Sequence, residues 1–277
     1  MAKGISVHIG LNYVDPNHYN GWDGQLNACE NDASDMERIA KSRGFETRAF
    51  LRDDATRNQV KDSINHAAKN LEEGNIFYLS YSGHVGQVPD KNSDEPDMQD
   101  ETWCLYDGQL IDDELHELWY NFKKGVRIFI TSDSCHSGTV IKEAGNSNMY
   151  YGEFPARNMS SQHALATYAS NQRFYDDILS TVKKIKPSDV QASVLLISGC
   201  QDNQYSYDGT FNGAFTGALK RVWNGGKFKG DYPRFHKQIQ SLLPAYQSPN
   251  YMFTGTANPG FESQRPFFAE RFVEKGR

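Results

Sequence analysis

The chain has 277 residues and carries 35 acidic against 29 basic side chains, a formal net charge of −6. With neither a basic excess nor a basic block, it is not built to bind nucleic acid or an anionic membrane. Its 38% hydrophobic content is too high for a disordered chain, and no run approaches the ~18 apolar residues of a membrane span.

In chain order, short apolar runs ending in Gly, Ser or Asp alternate with amphipathic stretches. Met1 to His8 holds one charge and a short apolar stretch interrupted by the histidine, so no signal peptide is read there. Ile5 to Leu11 is the first strand. Leu26 to Arg43 follows as a helix, with Leu26, Cys29, Ala33, Met36 and Ile39 on one face. Phe45 to Leu51 alternates like a strand. Thr56 to Gln59 opens a helix with a capping box; Val60, Ile64, Ala67 and Leu71 form its stripe, and Gly74 ends it. Ile76 to Tyr81 is a buried strand ending at Ser82-Gly83-His84. Val85 to Met98, with Gly86, Pro89, Asp90, Asn92 and Pro96, reads as an exposed loop. A helix capped by Asp112 and Asp113 precedes a buried strand, Val126 to Thr131, that ends at Ser132-Asp133-Ser134-Cys135. Residues 140–190 form a long polar connection of the kind that is functional or mobile. Ser193 to Ile197 is the next strand, and Phe211 to Trp223 the next helix.

Strands alternating with helices imply an α/β fold with a mostly parallel central sheet and helices on both faces. Right-handed crossovers bring the strand ends to one edge, where ligands bind. One domain is expected over 1–277, because the strand at 193–197 needs the earlier strands as partners.

Three strand ends carry His84, Cys135 and Cys200. A thiol nucleophile needs an imidazole to take its proton. Parallel strands about 4.8 Å apart can bring two such end loops together. His84 and Cys135 stand 51 positions apart (135 − 84), the histidine-to-cysteine spacing seen in caspases. Either residue alone reads as ordinary packing or loop structure; the pair at strand ends reverses that. Cys29, Cys104 and Cys200 read as packing cysteines. Four widely spread cysteines suit a reducing compartment, and a cytoplasmic location is expected.

Tyr81-Ser82-Gly83-His84 and Asp133-Ser134-Cys135-His136-Ser137-Gly138 resemble the two catalytic motifs of metacaspases, the caspase-like cysteine peptidases of bacteria, plants, fungi and protists. Gly10 to Tyr13, Leu26 to Ala33, Ile111 to Glu114 and Ser198 to Gln204 resemble further motifs of that family, in family order. The resemblance implies a caspase–haemoglobinase fold, with a large-subunit-like part over about 1–139, a loop over about 140–190 and a small-subunit-like part over about 191–277. It implies His84 as general base and Cys135 as nucleophile, with a thioester intermediate released by water. It also implies an oxyanion hole made by the backbone amides of Cys135 and Val85; the family usually has glycine at the second place. His136 adjoins the nucleophile, but neighbours point apart, and it reads as structural.

Two carboxylates in a cleft attract a guanidinium or an ammonium. Asp133 precedes the nucleophile by two positions; Asp32 matches the second acidic position of the family's specificity pocket, and Ser82 lines the same region. The expected activity is a cysteine endopeptidase cutting after Arg, then Lys, in a protein or peptide substrate, with activation by a protein partner left open. Many metacaspases are calcium-activated through aspartates, and Asp94, Asp97, Asp100, Glu101, Asp112 and Asp113 are acid-rich. Seven positions after the nucleophile, where the family has a calcium ligand, this chain has Lys142, which favours calcium independence, so no metal and no cofactor is expected. Two other readings stand beside this one. One is a catalytically silent caspase-like interaction module. The other is a small-molecule hydrolase or nucleotide binder, which the first strand end, Gly10-Leu11-Asn12, does not support because it makes no phosphate-binding loop. Within 140–190, Lys142, Arg157, Arg173 and the Lys183 to Lys186 cluster are candidate self-cleavage points, with Arg157 expected in an exposed stretch.

Overall fold

The apolar runs form the centre of the sheet, as their composition requires. The computed structural model describes residues 3–91, 98–134, 150–151, 154–200, 204 and 206–269. Among these, β1 (Gly4–Gly10), β3 (Ile76–Ser82) and β7 (Arg127–Asp133) are buried along their whole length. With β2 (Glu46–Leu51), β10 (Ser193–Ser198) and β11 (Asn250–Gly255) they make a six-stranded sheet in the order β11-β10-β7-β3-β1-β2. Every pair is parallel except β10 with β11.

Alternate side chains of these strands enter two cores. Phe77, Leu79, Ile128 and Ile130 face Val60, Ile64 and Ala67 of α2 (Arg57–Asn70) and Leu115 and Leu118 of α3 (Asp112–Tyr120). Ile76, Tyr78, Phe129, Leu195 and Ile197 face Met36 and Ala40 of α1 (Cys29–Ser42), and Phe215, Leu219, Phe235 and Ile239 of α6 (Ala214–Trp223) and α7 (Tyr232–Leu242). Each such side chain removed from water stabilises the fold by roughly 1.5–3 kcal/mol, which is what holds helices on both faces. The capping box expected at Thr56 is half present: its side chain accepts from Gln59 N. The helix read from Phe211 begins three residues later, at Ala214.

Two segments differ from their sequence reading. Val85 to Pro89, read as the start of an exposed loop, is a largely buried strand, β4 (Val85–Pro89). It pairs antiparallel with β5 (Gln99–Leu105), which pairs with β6 (Gly108–Ile111) in a second, three-stranded sheet. Turn-forming Gly86 and Pro89 obscured it, and residues 92–97 lie outside the described set. The 140–190 connection contains a short ladder, β8 (Tyr150–Tyr151) with β9 (Phe154–Pro155), and two helices, α4 (Ser161–Ser170) and α5 (Gln172–Thr181). Tyr175 packs with Val88 and Ile111, so these helices cover the small sheet. A last short helix, α8 (Pro259–Glu262), buries Phe261 in the second core.

One buried polar group makes the fold sensitive to acid. His8 of β1 is fully buried and hydrogen-bonded to Ser80 Oγ at 2.8 Å and Ser6 Oγ at 2.9 Å. Burial, helped by Lys41, pushes its pKa down to about 3. Below about pH 6.5 the unfolded chain therefore takes up a proton that the native ring refuses, and stability falls with pH. Wild type is expected to lose about 2 kcal/mol more than His8→Gln between pH 7 and pH 5. Urea unfolding of both proteins at the two pH values measures this difference, and parallel pH profiles would show that His8 does not titrate in this way.

Candidate active site

The strand register assembles the site. Gly10 of β1 pairs with Ser82 of β3, and Ser82 with Asp133 of β7, so these strands end at one edge with Ser82 and Asp133 side by side. Asp32, one turn into α1, reaches the same place and accepts from Ser82 Oγ at 2.8 Å. The first turn of α1 is capped from outside the helix. Asn12 Oδ1 accepts from Cys29 N at 2.9 Å, and the Asp208 carboxylate accepts from Asn27 N at 2.6 Å and Ala28 N at 3.2 Å. Asp133 is itself a remote cap, its Oδ2 accepting from Thr216 N at 2.9 Å at the start of α6.

The three carboxylates enclose one guanidinium, that of Arg157. Its Nη2 lies 2.8 Å from Asp32 Oδ2 and 2.9 Å from Asp208 Oδ1; its Nη1 lies 3.1 Å from Asp133 Oδ2 and donates to Ser82 Oγ at 2.8 Å and to the Asp133 carbonyl at 3.0 Å. Arg157 is 0% exposed. This corrects the sequence expectation of an exposed arginine: its partners come from four separate segments, which no local pattern reveals. Burial opposes its charge, but Asp133, Asp32 and Asp208 outweigh burial and hold it above its ordinary pKa. For Asp32, burial and then Asp133 outweigh the pull of Arg157 and push its carboxyl up to about 6. Asp208 was missed in the sequence; the signal available was an acid among the aromatic and glycine residues of Tyr207-Asp208-Gly209.

The wall behind the guanidinium is Gly213. Its N–H donates to Asp32 Oδ1 at 3.1 Å, and a Cβ there would stand 2.6 Å from both terminal nitrogens of Arg157. Any side chain at this position would occupy the space the guanidinium fills.

The main chain around Arg157 is also paired. Arg157 N donates to Ser206 O at 2.9 Å, Asp208 N donates to Pro155 O at 3.0 Å, and Ala156 bridges Tyr207 in antiparallel fashion. On the other side, Val85 N donates to Arg157 O at 3.2 Å, and Met159 N to Val85 O at 2.7 Å. Val85 lies in an ordinary strand and is not among the residues with left-handed φ, so a β-branched residue suits the place where glycine is usual in the family.

His84 is buried beside this segment. Its Nε2 lies 3.2 Å from the Gly24 carbonyl, and its ring is tilted against Trp22 with centroids 4.8 Å apart. A carbonyl only accepts, so Nε2 carries the hydrogen. The neutral ring then has its lone pair on Nδ1, which is buried and unpartnered among the described residues. Burial first, then the Arg157 charge, pushes the His84 pKa down to about 4. Gly24 permits this contact: its φ is +58°, and a Cβ would stand 3.1 Å from the imidazole. Cys135, His136 and Lys142 lie outside the described residues, as do Asp94 and Asp97. Cys29, Cys104 and Cys200 are buried free thiols.

The acid-rich stretch is partly gathered. Burial, followed by Asp100, Glu101 and Asp113, pushes Asp112 up to about 8. Among the described residues no cluster of three or more His, Cys, Asp or Glu side chains is arranged to hold a metal, and no helix is long and apolar enough to cross a membrane.

Comparison with known proteins identifies the family and the fold. The caspase-domain family model matches residues 13–268. Metacaspase-1 of Schizosaccharomyces pombe is 30% identical over 257 residues, covering 79% of this chain and 58% of its own length. Metacaspase-1A of Aspergillus terreus is 30% identical over 253 residues, covering 79% and 61%. The chain thus spans about three fifths of the length of these curated relatives. Among solved structures, protein GSU0716 from Geobacter sulfurreducens superposes with a TM-score of 0.90 at 55% identity, covering 97% of this chain and 100% of that one. Caspase-1 from Spodoptera frugiperda gives 0.54 at 13% identity, covering 92% and 86%, a likeness of fold.

Proposed function

We propose that this chain, which belongs to the caspase-domain family of cysteine peptidases, is an endopeptidase that cuts after arginine and less well after lysine. The observation that carries this reading is the guanidinium enclosed by Asp32, Asp133 and Asp208, with Ser82 as a neutral acceptor. An arginine before the scissile bond would find five acceptors, four on side chains and one the Asp133 carbonyl, placed for its two terminal nitrogens, whereas lysine brings one ammonium. An aspartate there would meet three carboxylates and no cation.

In the proposed reaction His84 takes the Cys135 proton through Nδ1, with Nε2–H anchored on Gly24. A pKa near 4 keeps the ring neutral, and so able to accept, at neutral pH. The thiolate attacks the carbonyl, whose oxygen Val85 N and the Cys135 amide would hold. His84 returns the proton to the leaving amine, and water then cleaves the thioester. No metal takes part in these steps, and with Lys142 at the position of a family calcium ligand, turnover is expected to persist in a chelator.

Hydrolysis of three peptides differing only in Arg, Lys or Asp before the cut tests the reading, with an active-site thiol label run in parallel. Arg above Lys, with no cleavage after Asp, is expected. Thiol labelling with no turnover of any peptide would favour a silent interaction module instead. Gly213 offers a separate check. Its backbone, φ −59° and ψ 157°, is one alanine adopts freely. The added Cβ would nevertheless press on Asp133 Oδ2 and on both terminal nitrogens of Arg157, so Gly213→Ala is expected to lose stability as the buried ion cluster shifts and to lose at least about 100-fold in kcat/KM on the Arg peptide, with urea unfolding separating the two effects. Unchanged kcat/KM would place the substrate's basic group elsewhere.

A further inference from the structure

We propose that Trp22 is a positioning residue for the base: its indole covers one side of the His84 imidazole and, with the Gly24 carbonyl, fixes which ring nitrogen accepts a proton. The proposal rests on the reading of His84 as general base made above and adds what holds it in that role.

A histidine just past a strand end can turn about its ring bond and exchange its two nitrogens unless its neighbours prevent it. Here two neighbours come from one three-residue stretch. The Trp22 ring lies against the imidazole, tilted by 60° with centroids 4.8 Å apart, and the Gly24 carbonyl stands 3.2 Å from Nε2. Gly24 also lies under the indole. A Cβ there would stand 2.9 Å from Trp22 Cη2 and 3.1 Å from His84 Cδ2. Glycine, indole and imidazole thus meet in one contact with no room for a further carbon.

The segment that carries them is held firmly. Asn20 and Gly21 have left-handed φ of +53° and +87°, and together they turn the chain sharply just before Trp22. Trp22 N donates to Tyr19 O at 3.1 Å, Gly21 N to Pro16 O at 2.7 Å, Val14 N to Asp23 O at 2.9 Å and Leu26 N to Asn12 O at 2.8 Å. Tyr19 is fully buried; its hydroxyl donates to Leu105 O at 2.7 Å, and its ring meets the indole edge-on with centroids 5.8 Å apart. Packing on the core explains the contact of Trp22 with Tyr19. It does not explain why indole and carbonyl converge on the one imidazole whose buried Nδ1 has no partner among the described residues.

Two consequences follow for proton transfer. With the ring clamped, Nε2–H stays on Gly24 and the lone pair stays on Nδ1. The indole also keeps water from the ring, and burial is the largest cause of the low His84 pKa, ahead of the Arg157 charge, with Asp208 acting in the opposite sense. The other titratable neighbours stand off the imidazole. Tyr81 donates its hydroxyl to the His84 carbonyl, not to the ring. Asp23 is exposed and accepts from Gln25 Nε2 at 3.2 Å. His163 of α4 stacks on the indole with centroids 5.8 Å apart, its Nδ1 within 2.9 Å of Ser160 Oγ. Removing the indole therefore admits water to the imidazole, raises its pKa toward the ordinary value and frees the ring to turn. A protonated imidazole cannot accept, so turnover is then lost at a higher pH on the acid side.

NMR titration of the full chain labelled with carbon-13 in its histidine rings reads this without turnover, the His84 resonance being assigned by its absence from His84→Gln. In wild type the His84 ring is expected to stay neutral down to about pH 5. In Trp22→Ala its midpoint is expected at least about one pH unit higher than in wild type, and in Trp22→Phe, which keeps a ring, within about half a pH unit of wild type. Should Trp22→Ala fail to fold, Trp22→Leu keeps an apolar side chain without a ring and is expected to move the midpoint up by at least about half a pH unit. The acid limb of kcat/KM on an Arg peptide is expected to follow the midpoint in each variant, with the loss on kcat and KM changing less than about threefold. An unchanged His84 midpoint in the folded Ala or Leu variant would overturn the role of Trp22 and leave His84 as base. A Phe variant as altered as the Ala variant would overturn the claim that the ring is what holds the imidazole. A midpoint that moves while the acid limb stays in place would remove His84 as the base, and with it the positioning role.

Discussion

Cys135→Ala is expected to reduce peptide turnover by on the order of 10⁴–10⁶-fold while leaving the fold in place. In covalent catalysis the nucleophile and its base act as a unit, so removing the sulfur removes the pathway rather than one contact. Its effect on stability is expected to be about 1 kcal/mol or less, because one atom is deleted and none of the three carboxylate partners of Arg157 is touched. Urea unfolding and peptide hydrolysis on the same preparation separate the two quantities. His84→Ala completes the test: turnover is expected to fall by about 10²–10⁴-fold while iodoacetamide still alkylates Cys135. Near-wild-type hydrolysis by Cys135→Ala would rule out the thiol mechanism.

How much of this was legible in the sequence follows from the range of the interactions. β1, β3, β7 and β10 are almost wholly buried, so each appears as a mainly apolar run, interrupted in β1 by Ser6 and His8 and in β3 by Ser80, with its end marked by Gly, Ser or Asp. That made the sheet edge readable, and with it the adjacency of Ser82 and Asp133. β4 was not readable, because Gly86 and Pro89 are turn residues in isolation and their strand is secured by β5, fourteen residues on. β11 and α7 went unread among the mixed polar and apolar residues after 230, and α4 and α5 within the polar connection. The carboxylate pocket was two-thirds legible. Asp32 and Asp133 sit in recognisable motifs, whereas Asp208 is held by the Asn27 and Ala28 amides about 180 positions away. Arg157 was misplaced for the same reason. A charged residue in a polar stretch reads as solvated until the structure shows three acids converging on it.

Asp133→Asn is expected to separate recognition from chemistry. The Asp133 carboxylate does three jobs: it faces the guanidinium at 3.1 Å, accepts from Ser206 Oγ at 2.7 Å, and accepts from Thr216 N and Oγ1 at 2.9 and 2.7 Å. Asparagine keeps one acceptor oxygen for the Thr216 cap and loses the charge, which makes it a cleaner probe than alanine. Two opposing effects decide the size of the result. Losing a desolvated charge partner costs roughly 2–5 kcal/mol, yet Asp32 and Asp208 remain, and Asp32, already pushed up to about 6, gains acidity when its like-charged neighbour is neutralised. The net expectation is therefore near the lower end, a fall of about 30- to 100-fold in kcat/KM for an Arg peptide, corresponding to about 2–3 kcal/mol. Alkylation of Cys135 by iodoacetamide, which needs no guanidinium pocket, is expected to change less than about threefold. The loss should also be smaller for a Lys peptide than for an Arg peptide, since lysine makes fewer of the contacts. A parallel loss in hydrolysis and alkylation would mean that Asp133 acts by holding the nucleophile loop and the start of α6 in place, and that the pocket's selectivity rests on Asp32 and Asp208.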